Sequence, residues 1–423
     1  MLGADVRCPR RRLLIHRYHG TKASIVAVNP QTCDELIMTE SQNTLFGPAK
    51  TNPNRGFVTV VTGQVGLDKR AYLEQVQAIA NKNGIEVELF NIGERMYAEA
   101  PDVASGRILD LPRQRLGALR RSVFKDVLKA ADSGANVIVN THATFRWKHG
   151  LFLAYDFQQM QALNADLYVS LVDNVDAVHE RLERDHEIEH SLKDILVWRE
   201  EEMVVTEAMA EAISGFGRAY VFSRGNPELT AQSLYRLMFE PHRKRIYPSF
   251  PMTHVLDQPD ILRLIDQFRE SLAEHFITFD PADVDEKRLL YEAGEGIKNG
   301  KSEITLSVND RDVVLPVHEV TQVAHDIDAQ IYARDFQMIE QSDMIVSFIP
   351  TTKDGRPALS SGVERELQHA FECTKDVYVI WTPPTEPSPF VTETATRVFP
   401  SVQDLFLFFQ QQGYVEDIQL PLA

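Results

Sequence analysis

The strongest constraint on the fold is a repeated alternation between short apolar runs and longer segments with helical spacing. Between residues 57 and 225 the apolar runs are rich in β-branched and aromatic residues. This alternation is typical of an α/β fold, in which a parallel sheet carries helices on both faces. The predicted strands are "FVTVVT", "IEVELFNIG", "ANVIVNTHATF", "ADLYVSLVDN" and "RAYVFSRGN".

The same alternation restarts after the stretch "FEPHRKRIYPSFPMT", near residue 241. The later runs "DMIVSFIP" and "DVYVIW" are predicted strands of this second set. We therefore predict a first α/β domain over 55–241 and a second, smaller one over 242–423. A polar stretch over 294–302 is interpreted as an insertion, and residues 1–54, which end in "FGPAKTNPNRGF", as an irregular extension.

Composition limits the class of partner. The chain has 423 residues and a formal net charge of −17, which disfavours a general nucleic-acid or anionic-membrane surface. Its three cysteines are sparse, which fits a reducing compartment, and no apolar run reaches the roughly 18 residues of a membrane span. We expect a cytoplasmic protein that binds small molecules, and we predict no metal site. The charge run over 180–202 is expected to be a solvated helix face.

A glycine-rich turn follows the first predicted strand, in "VTVVTGQVGLDKRAYL". A strand, such a turn, a lysine and a helix can place backbone N–H groups and a cation around phosphate. Gly63, Gly66 and Lys69 stand in the register of the G-x-x-x-x-G-K-[ST] pattern, whereas Asp68 and Arg70 replace its second glycine and its hydroxyl residue. A plain glycine turn that joins a strand to a helix remains the alternative.

The wider context, "VIVNTHATF" followed by "ADLYVSLVDNVDAVHERLERD", resembles nucleoside monophosphate kinases of the archaeal adenylate kinase type. The resemblance spans about 57–235 and implies a P-loop NTPase-like parallel sheet that takes ATP and Mg²⁺. It places Lys69 on the phosphates and makes Arg181 or Arg184 the cation of a lid helix. Asn140 stands where that family has an acidic residue at the end of a strand.

A second group of candidate residues lies in the C-terminal domain. Asp335 and Asp343 flank the end of a predicted short helix that leads into "DMIVSFIP". The segment "SSGVERELQHA" supplies Ser360, Gly362 and Glu366 beyond the carboxyl end of that strand, where α/β folds place their ligands. A carboxylate there can attack an anomeric carbon through an oxocarbenium-like transition state. The alternative is that these acids cap helices or meet a helix dipole.

These residues resemble the nucleoside 2-deoxyribosyltransferases and the related 2′-deoxynucleoside 5′-monophosphate N-glycosidases, which have a flavodoxin-like or Rossmann-like sheet. Their G-x-x-x-E-x-x-x-A motif corresponds to "GVERELQHA" and makes Glu366, not Glu364, the nucleophile. Asp335 would orient the sugar and assist proton transfer, and Ser360 would bind a 5′-phosphate. The resemblance covers about 243–415, with an insertion near 286–325. Further substrate-binding candidates are Gly362, Asp343, the residues Tyr247 and Ser249 of "RIYPSFPMT", and Ser388, which would act across a subunit interface.

The sequence therefore predicts cleavage or transfer at the N-glycosidic bond of a (deoxy)nucleoside or its 5′-monophosphate, with no cofactor. The resemblance also implies a homo-oligomer formed through the C-terminal domain. Two alternatives stay open. The N-terminal domain is an ATP-dependent nucleoside monophosphate kinase, or the whole protein is a nucleotide sensor without catalysis.

Overall fold

The fold was analysed in a computed structural model that describes residues 55–147, 150–186, 190–252, 255, 258–308 and 311–416. The predicted extension over 1–54 lies outside the described residues. The described residues belong to one compact unit. Within it they form two α/β domains, each built on its own five-stranded parallel sheet, the first sheet from strands within 58–223 and the second from strands within 245–399.

The first domain contains a five-stranded parallel sheet with the strand order β2-β3-β1-β6-β7. The β1 strand is buried along its whole length, because apolar side chains cover both faces of a parallel sheet. A short antiparallel hairpin, β4–β5, leaves the sheet after β3. The strands are β1 (Val58–Thr62), β2 (Val87–Asn91), β3 (Asn136–Asn140), β4 (Thr144–Trp147), β5 (Gly150–Leu153), β6 (Leu167–Val172) and β7 (Ala219–Ser223).

Helices connect these strands, as the alternating pattern predicts. The predicted charged region after β6 forms two helices, of which the second is 23 residues long. A short 3₁₀ turn over Ile108–Asp110 precedes the third helix. The helices are α1 (Lys69–Lys82), α2 (Ile92–Glu99), α3 (Arg113–Asp132), α4 (Phe157–Leu163), α5 (Val175–His186), α6 (Leu192–Ser214) and α7 (Pro227–Phe239).

The second domain has its own parallel sheet, also of five strands, with the order β14-β13-β12-β8-β9. The two-domain α/β fold predicted from the sequence is thus confirmed. The remaining strands are β8 (Arg245–Ser249), β9 (Ile277–Thr278), β10 (Glu303–Val308), β11 (Arg311–Pro316), β12 (Met344–Ile349), β13 (Asp376–Trp381) and β14 (Arg397–Phe399). The helices are α8 (Pro259–His275), α9 (Lys287–Lys298), α10 (Val317–Gln322), α11 (Ala324–Glu340), α12 (Ser361–Glu372), α13 (Pro389–Thr392) and α14 (Val402–Gln411).

The segment predicted as an insertion is folded and packed. It consists of α9, the antiparallel hairpin β10–β11 and α10. Alternate residues of the hairpin, such as Ile304 and Leu315, are buried in an apolar core that also includes residues of both sheets. Glu319 accepts a hydrogen bond from the backbone N–H of Leu192 at 2.8 Å, so this segment contacts the first domain.

The two sheets meet where β7 faces the second domain. The side-chain amide of Gln341 both accepts from the backbone N–H of Val221 (3.0 Å) and donates to its carbonyl (2.7 Å). Tyr220 stacks on Phe279 with ring centroids 6.0 Å apart. These contacts fix one domain against the other through an edge strand. Within the described residues, no helix is both long and apolar enough to cross a membrane.

Candidate functional site

A carboxylate from α12 is held at the carboxyl end of β8. Tyr247 and Ser249 lie two residues apart on β8, so their side chains point to the same face of the sheet. The Tyr247 hydroxyl donates to Glu366 Oε1 at 3.0 Å, and the Ser249 hydroxyl donates to Glu366 Oε2 at 2.6 Å. Among the described residues, each carboxylate oxygen therefore accepts one hydrogen bond from a hydroxyl group and retains a further lone pair.

The surroundings of Glu366 disfavour its ionised form. Burial, together with the charge of nearby Asp335, raises the pKa of Glu366 to about 8, although the Ser249 and Tyr247 hydroxyls oppose this shift. Burial likewise raises the pKa of Asp335 to about 6, against the neighbouring Arg334 guanidinium at 3.5 Å. Two carboxyl groups with separated pKa values share one proton near neutral pH. One of them can then act as a base or nucleophile while the other is an acid.

Asp335 reaches this site from within α11, which has 17 residues and is longer than the short helix predicted. The helix places Asp335 near Glu366. Burial, together with the charge of the same aspartate, raises the pKa of Tyr247, which therefore remains a protonated donor. The structure thus brings together four predicted residues, namely Glu366, Asp335, Tyr247 and Ser249.

Ser360 and Gly362 lie at the start of the helix that carries Glu366. The Ser360 side chain is the N-cap of α12 and accepts from the backbone N–H of Val363 at 3.2 Å. Gly362 is exposed, and a Cβ atom there would meet only Ser360 Oγ, at 3.6 Å. The first N–H groups of a helix have no partner within the helix. Since the Val363 N–H already donates to Ser360, the N–H groups of Ser361 and Gly362 and the Ser360 hydroxyl hydrogen are the ones that can donate to an anion.

Two predicted substrate contacts lie elsewhere. Asp343 precedes β12 at the amino end of the sheet and forms an ion pair with Arg245 at 2.5 Å. Its carboxylate also accepts from the backbone N–H of Arg245 at 2.8 Å, so it joins two strands rather than meeting Glu366. Ser388 is the N-cap residue of α13, and its Oγ is buried without a hydrogen bond to any described residue.

The glycine-rich loop of the first domain is a tight turn between β1 and α1. Gly63 and Gly66 have φ angles of 129° and 88°, which strain residues other than glycine. A Cβ atom on Gly63 would lie 2.6 Å from the Leu171 carbonyl oxygen. Asp68, at the position of the family's second glycine, also has a positive φ, of 50°. Packing against β6 therefore requires the first glycine whether or not the loop binds phosphate.

Lys69 lies inside the loop. Its Nζ donates to the carbonyl oxygens of Gly63 (2.6 Å) and Gln64 (3.3 Å) and lies 3.3 Å from His142 Nδ1. Burial lowers the pKa of Lys69 to about 7, although the Glu202 carboxylate opposes the shift. An anionic ligand bound beside Lys69 would stabilise the protonated, positively charged form of its side chain over the neutral form.

Glu202 of α6 supports the same loop. No motif in the sequence indicated this role for Glu202. One carboxylate oxygen accepts from the backbone N–H groups of Gly63 (2.8 Å) and Ala143 (3.0 Å). The other accepts from the backbone N–H of Thr144 (2.8 Å) and from its hydroxyl (3.1 Å). This carboxylate is fully engaged in holding two loops at the end of the sheet.

A cavity of about 370 Å³ opens beside Lys69 at the carboxyl end of the first sheet. Its walls include His142, Asn140 and Arg120 of α3. Arg120 is 7% exposed and lies over the Phe145 ring at 5.9 Å. Burial lowers the pKa of Arg120 to about 10, so it stays cationic at neutral pH. No described residue forms a hydrogen bond or an ion pair with this guanidinium.

The two arginines that the kinase resemblance assigned to a lid helix, Arg181 and Arg184, are bound to other protein groups. Arg181 is buried and donates to Asp173 at 2.8 Å and to the Gly66 carbonyl at 3.1 Å. Arg184 is paired with Glu180 at 3.1 Å and with Asp185 at 2.6 Å. Among the described residues that line the cavity, neither arginine appears.

The positions that would hold Mg²⁺ in a kinase do not fit that ion. Arg70 brings a positive charge and is paired with Glu74 (2.8 Å) and Glu94 (2.5 Å). Asn140 donates from its amide to Asn91 Oδ1 at 2.8 Å. Magnesium prefers carboxylate, phosphate and water oxygens, and neither position supplies a carboxylate.

The charge run over 180–202 is only in part the solvated helix face that was predicted. Glu183 and Glu200 are exposed, whereas Arg199 and Glu202 are buried. Arg199 is 5% exposed and forms an ion pair at 2.7 Å with Glu286 of the second domain. Glu286 also accepts from the backbone N–H of Val175 at 3.0 Å and lies 3.9 Å from Arg334. The charged residues on this face of α6 are buried because parts of both domains cover it, which periodicity within one helix does not reveal.

Comparisons with known proteins add little to this geometry. No protein-family model matches the chain. A crystal structure of an uncharacterized protein from Eubacterium ventriosum ATCC 27560 is similar, with 7% sequence identity and a TM-score of 0.25. The match covers 44% of this chain and 99% of that chain. At that identity and TM-score the similarity carries no argument about function.

Proposed function

We propose that the second domain cleaves the N-glycosidic bond of a (deoxy)nucleoside or its 5′-monophosphate, with Glu366 as the nucleophile. The observation that supports this most directly is the Glu366 carboxylate at the end of a parallel strand, oriented by the Tyr247 and Ser249 hydroxyls at 3.0 and 2.6 Å. Two fixed donors hold both oxygens in place while further lone pairs remain available. A nucleophile that is already positioned lowers the entropic part of the barrier.

The shared proton of the Asp335–Glu366 pair suits this reaction. Because the pKa of Asp335 (about 6) lies below that of Glu366 (about 8), the shared proton resides mainly on Glu366 near neutral pH. Its transfer from Glu366 to Asp335 gives the reactive form, in which Glu366 is ionised and Asp335 carries the proton. A Glu366 oxygen forms a bond to C1′ while the bond between C1′ and the base nitrogen breaks, and the electron pair leaves with the base. The base nitrogen takes up a proton, which Asp335 supplies directly or through water.

The second step restores the enzyme. Water attacks C1′, the bond from C1′ to Glu366 breaks, and the proton returns to the carboxyl pair. If another base replaces water, the same step is a transfer instead of a hydrolysis. Tyr247 and Ser249 donate to the Glu366 carboxylate that is regenerated, and so stabilise the leaving group of this step.

A 5′-phosphate would lie at the start of α12. Ser360 and the exposed N–H groups of Ser361 and Gly362 form the amino end of that helix, which favours anions. The open space at Gly362 allows a phosphate oxygen to approach the backbone. This arrangement supports a nucleoside monophosphate as substrate over a free nucleoside.

The test is release of free base from a panel of deoxynucleosides and their 5′-monophosphates, followed by chromatography. We expect the wild type to release base and Glu366→Ala to lose that activity. Glu364→Ala is the matched control, because Glu364 is exposed on the same helix and should be dispensable. Equal base release by the wild type and Glu366→Ala would refute the proposal, as would equal losses in both variants.

A second function is supported for the first domain, namely binding of a phosphorylated ligand without phosphoryl transfer. The buried Arg120 guanidinium and Lys69 face one cavity, whereas Arg70 and Asn140 do not supply metal ligands. Phosphoryl transfer depends on a metal ion and on positioned cations. Calorimetry should detect nucleotide binding, with no phosphorylated product. ATP- and Mg²⁺-dependent phosphorylation of a nucleoside monophosphate that Lys69→Ala abolishes would instead establish the kinase.

A further inference from the structure

Three potential metal ligands converge where the two helices of the carboxyl pair end. His369 belongs to α12, Cys373 follows one turn later as its C-cap, and Glu340 is the last residue of α11. His369 Nε2 lies 3.0 Å from Glu340 Oε1 and 3.7 Å from Cys373 Sγ. The three ligand atoms all lie within 4.8 Å of one another.

The two separations from His369 Nε2 are close to the edges of a small coordination tetrahedron. Zinc binds imidazole nitrogen and carboxylate oxygen at about 2.0–2.2 Å and thiolate sulfur at about 2.3 Å. A tetrahedron with those bond lengths has edges of about 3.3–3.6 Å between ligand atoms. The two separations from His369 Nε2, 3.0 and 3.7 Å, bracket that range, and the Glu340 oxygen and Cys373 Sγ lie within 4.8 Å of each other.

The orientation of His369 and the exposure of His369 and Glu340 also suit the binding of an ion. The His369 ring stacks on Phe336 with centroids 4.1 Å apart and an angle of 18° between the planes, which fixes its orientation. His369 is 18% exposed and Glu340 is 57% exposed, so an ion can reach the group from solvent. Cysteine, histidine and one carboxylate form a donor set that favours zinc-like ions over Mg²⁺ or Ca²⁺.

We propose that Glu340, His369 and Cys373 bind a divalent transition-metal ion of the zinc type, with water in the fourth position. On binding, the Cys373 thiol loses its proton to solvent and its sulfur forms the bond to the metal. The ion joins the end of α11, which carries Asp335, to α12, which carries Glu366. It therefore connects the two helices of the carboxyl pair, and the binding itself does not depend on the proposed function.

Cobalt absorption spectroscopy on the full chain, without a polyhistidine tag, tests this directly. In a Cys8→Ser/Cys33→Ser background Cys373 is the remaining cysteine. Titration of the metal-free protein with Co²⁺ should give one ion per chain and a thiolate-to-cobalt charge-transfer band. Zn²⁺ should then displace the cobalt and raise the melting temperature by several degrees.

Variants decide whether the band arises from this site. Cys373→Ser should abolish the band, and His369→Ala or Glu340→Ala should weaken Co²⁺ binding at least tenfold, whereas Glu364→Ala should not change it. Circular dichroism establishes that each variant is folded. The proposal is overturned if the folded protein gives no band, if the band persists in Cys373→Ser, or if the His369 and Glu340 variants bind Co²⁺ as the parent does. None of these results depends on base release.

Discussion

The two domains use a glutamate in opposite ways, although each places it at the carboxyl end of a parallel sheet; Glu202 is buried and Glu366 is half-buried. Glu202 accepts four hydrogen bonds, three of them from backbone N–H groups. Glu366 accepts two hydroxyl bonds. Burial raises the pKa of both. A carboxylate with four donors has no lone pair left for substrate, whereas one with two is oriented and still reactive. Saturation by donors, rather than burial, therefore separates a structural acid from a candidate nucleophile.

Conservative amide substitutions at these two glutamates should give opposite results, and this is the largest effect we expect. Glu366→Gln should lower base release by about 10³-fold or more because the nucleophilic oxygen is lost, with little effect on stability. Glu202→Gln should reduce the free energy of unfolding by about 2–4 kcal/mol, since one amide group would face backbone donors. Base release and urea unfolding on both variants check the contrast. An inactive but stable Glu202→Gln would contradict it.

Asp335→Asn should lower base release by roughly 10²-fold, which is typical for loss of a general acid. For the wild type, kcat/KM should follow a bell-shaped pH profile with limbs near the pKa values of about 6 for Asp335 and about 8 for Glu366. Below the lower limb both groups are protonated and no nucleophile exists; above the upper limb both are ionised and no acid remains. The pH profile of Asp335→Asn should keep only one of the two limbs, because one of the two titrating carboxyl groups has been removed. A profile that is unchanged in Asp335→Asn would exclude the paired role.

Arg120→Ala should weaken binding of a nucleotide to the first domain by about 10–100-fold, since a charged hydrogen bond contributes about 1.5–3 kcal/mol. Arg121→Ala is the matched control, because Arg121 is the exposed neighbour on α3. Isothermal titration calorimetry measures both. Base release by the second domain should stay the same in each variant. A loss of base release in Arg120→Ala without a change in nucleotide binding would reverse the assignment of the two sites.

Gly362→Ala should give the smallest effect, a loss of about tenfold in kcat/KM for monophosphates and none for free nucleosides. The new methyl group would occupy space that is open in the protein, so the melting temperature should not fall. Parallel assays with a nucleoside and its 5′-monophosphate check this. Equal losses for both substrates would place the phosphate elsewhere.

The strands could be predicted because their signal is local, and the placement of Glu366 beside β8 agrees with the motif that singled it out. Apolar runs mark buried strands, and the two-residue spacing of Tyr247 and Ser249 on β8 fixes their common face. The direction in which Asp343 points could not be predicted, because it depends on Arg245, which is 98 residues away in the chain.

Two residues that were missed had left a signal in the helical periodicity. Arg120 shares a face of α3 with Leu116, Phe124 and Val127, which are all buried. A cation on an apolar face indicates either a buried ion pair or a ligand. Glu202 similarly follows Trp198 on the buried face of α6. Choosing between a structural acid and a binding residue at such positions needs the tertiary partners.

Identification of the covalent intermediate tests the central claim most directly. The protein would be incubated with a 2′-fluorinated deoxynucleoside 5′-monophosphate, in which the fluorine slows turnover of the glycosyl-enzyme, then quenched, digested and analysed by mass spectrometry. We predict a sugar phosphate attached to Glu366 and no adduct in Glu366→Gln. Base release accompanied by an adduct on another residue, or by an adduct that persists in Glu366→Gln, would contradict the account.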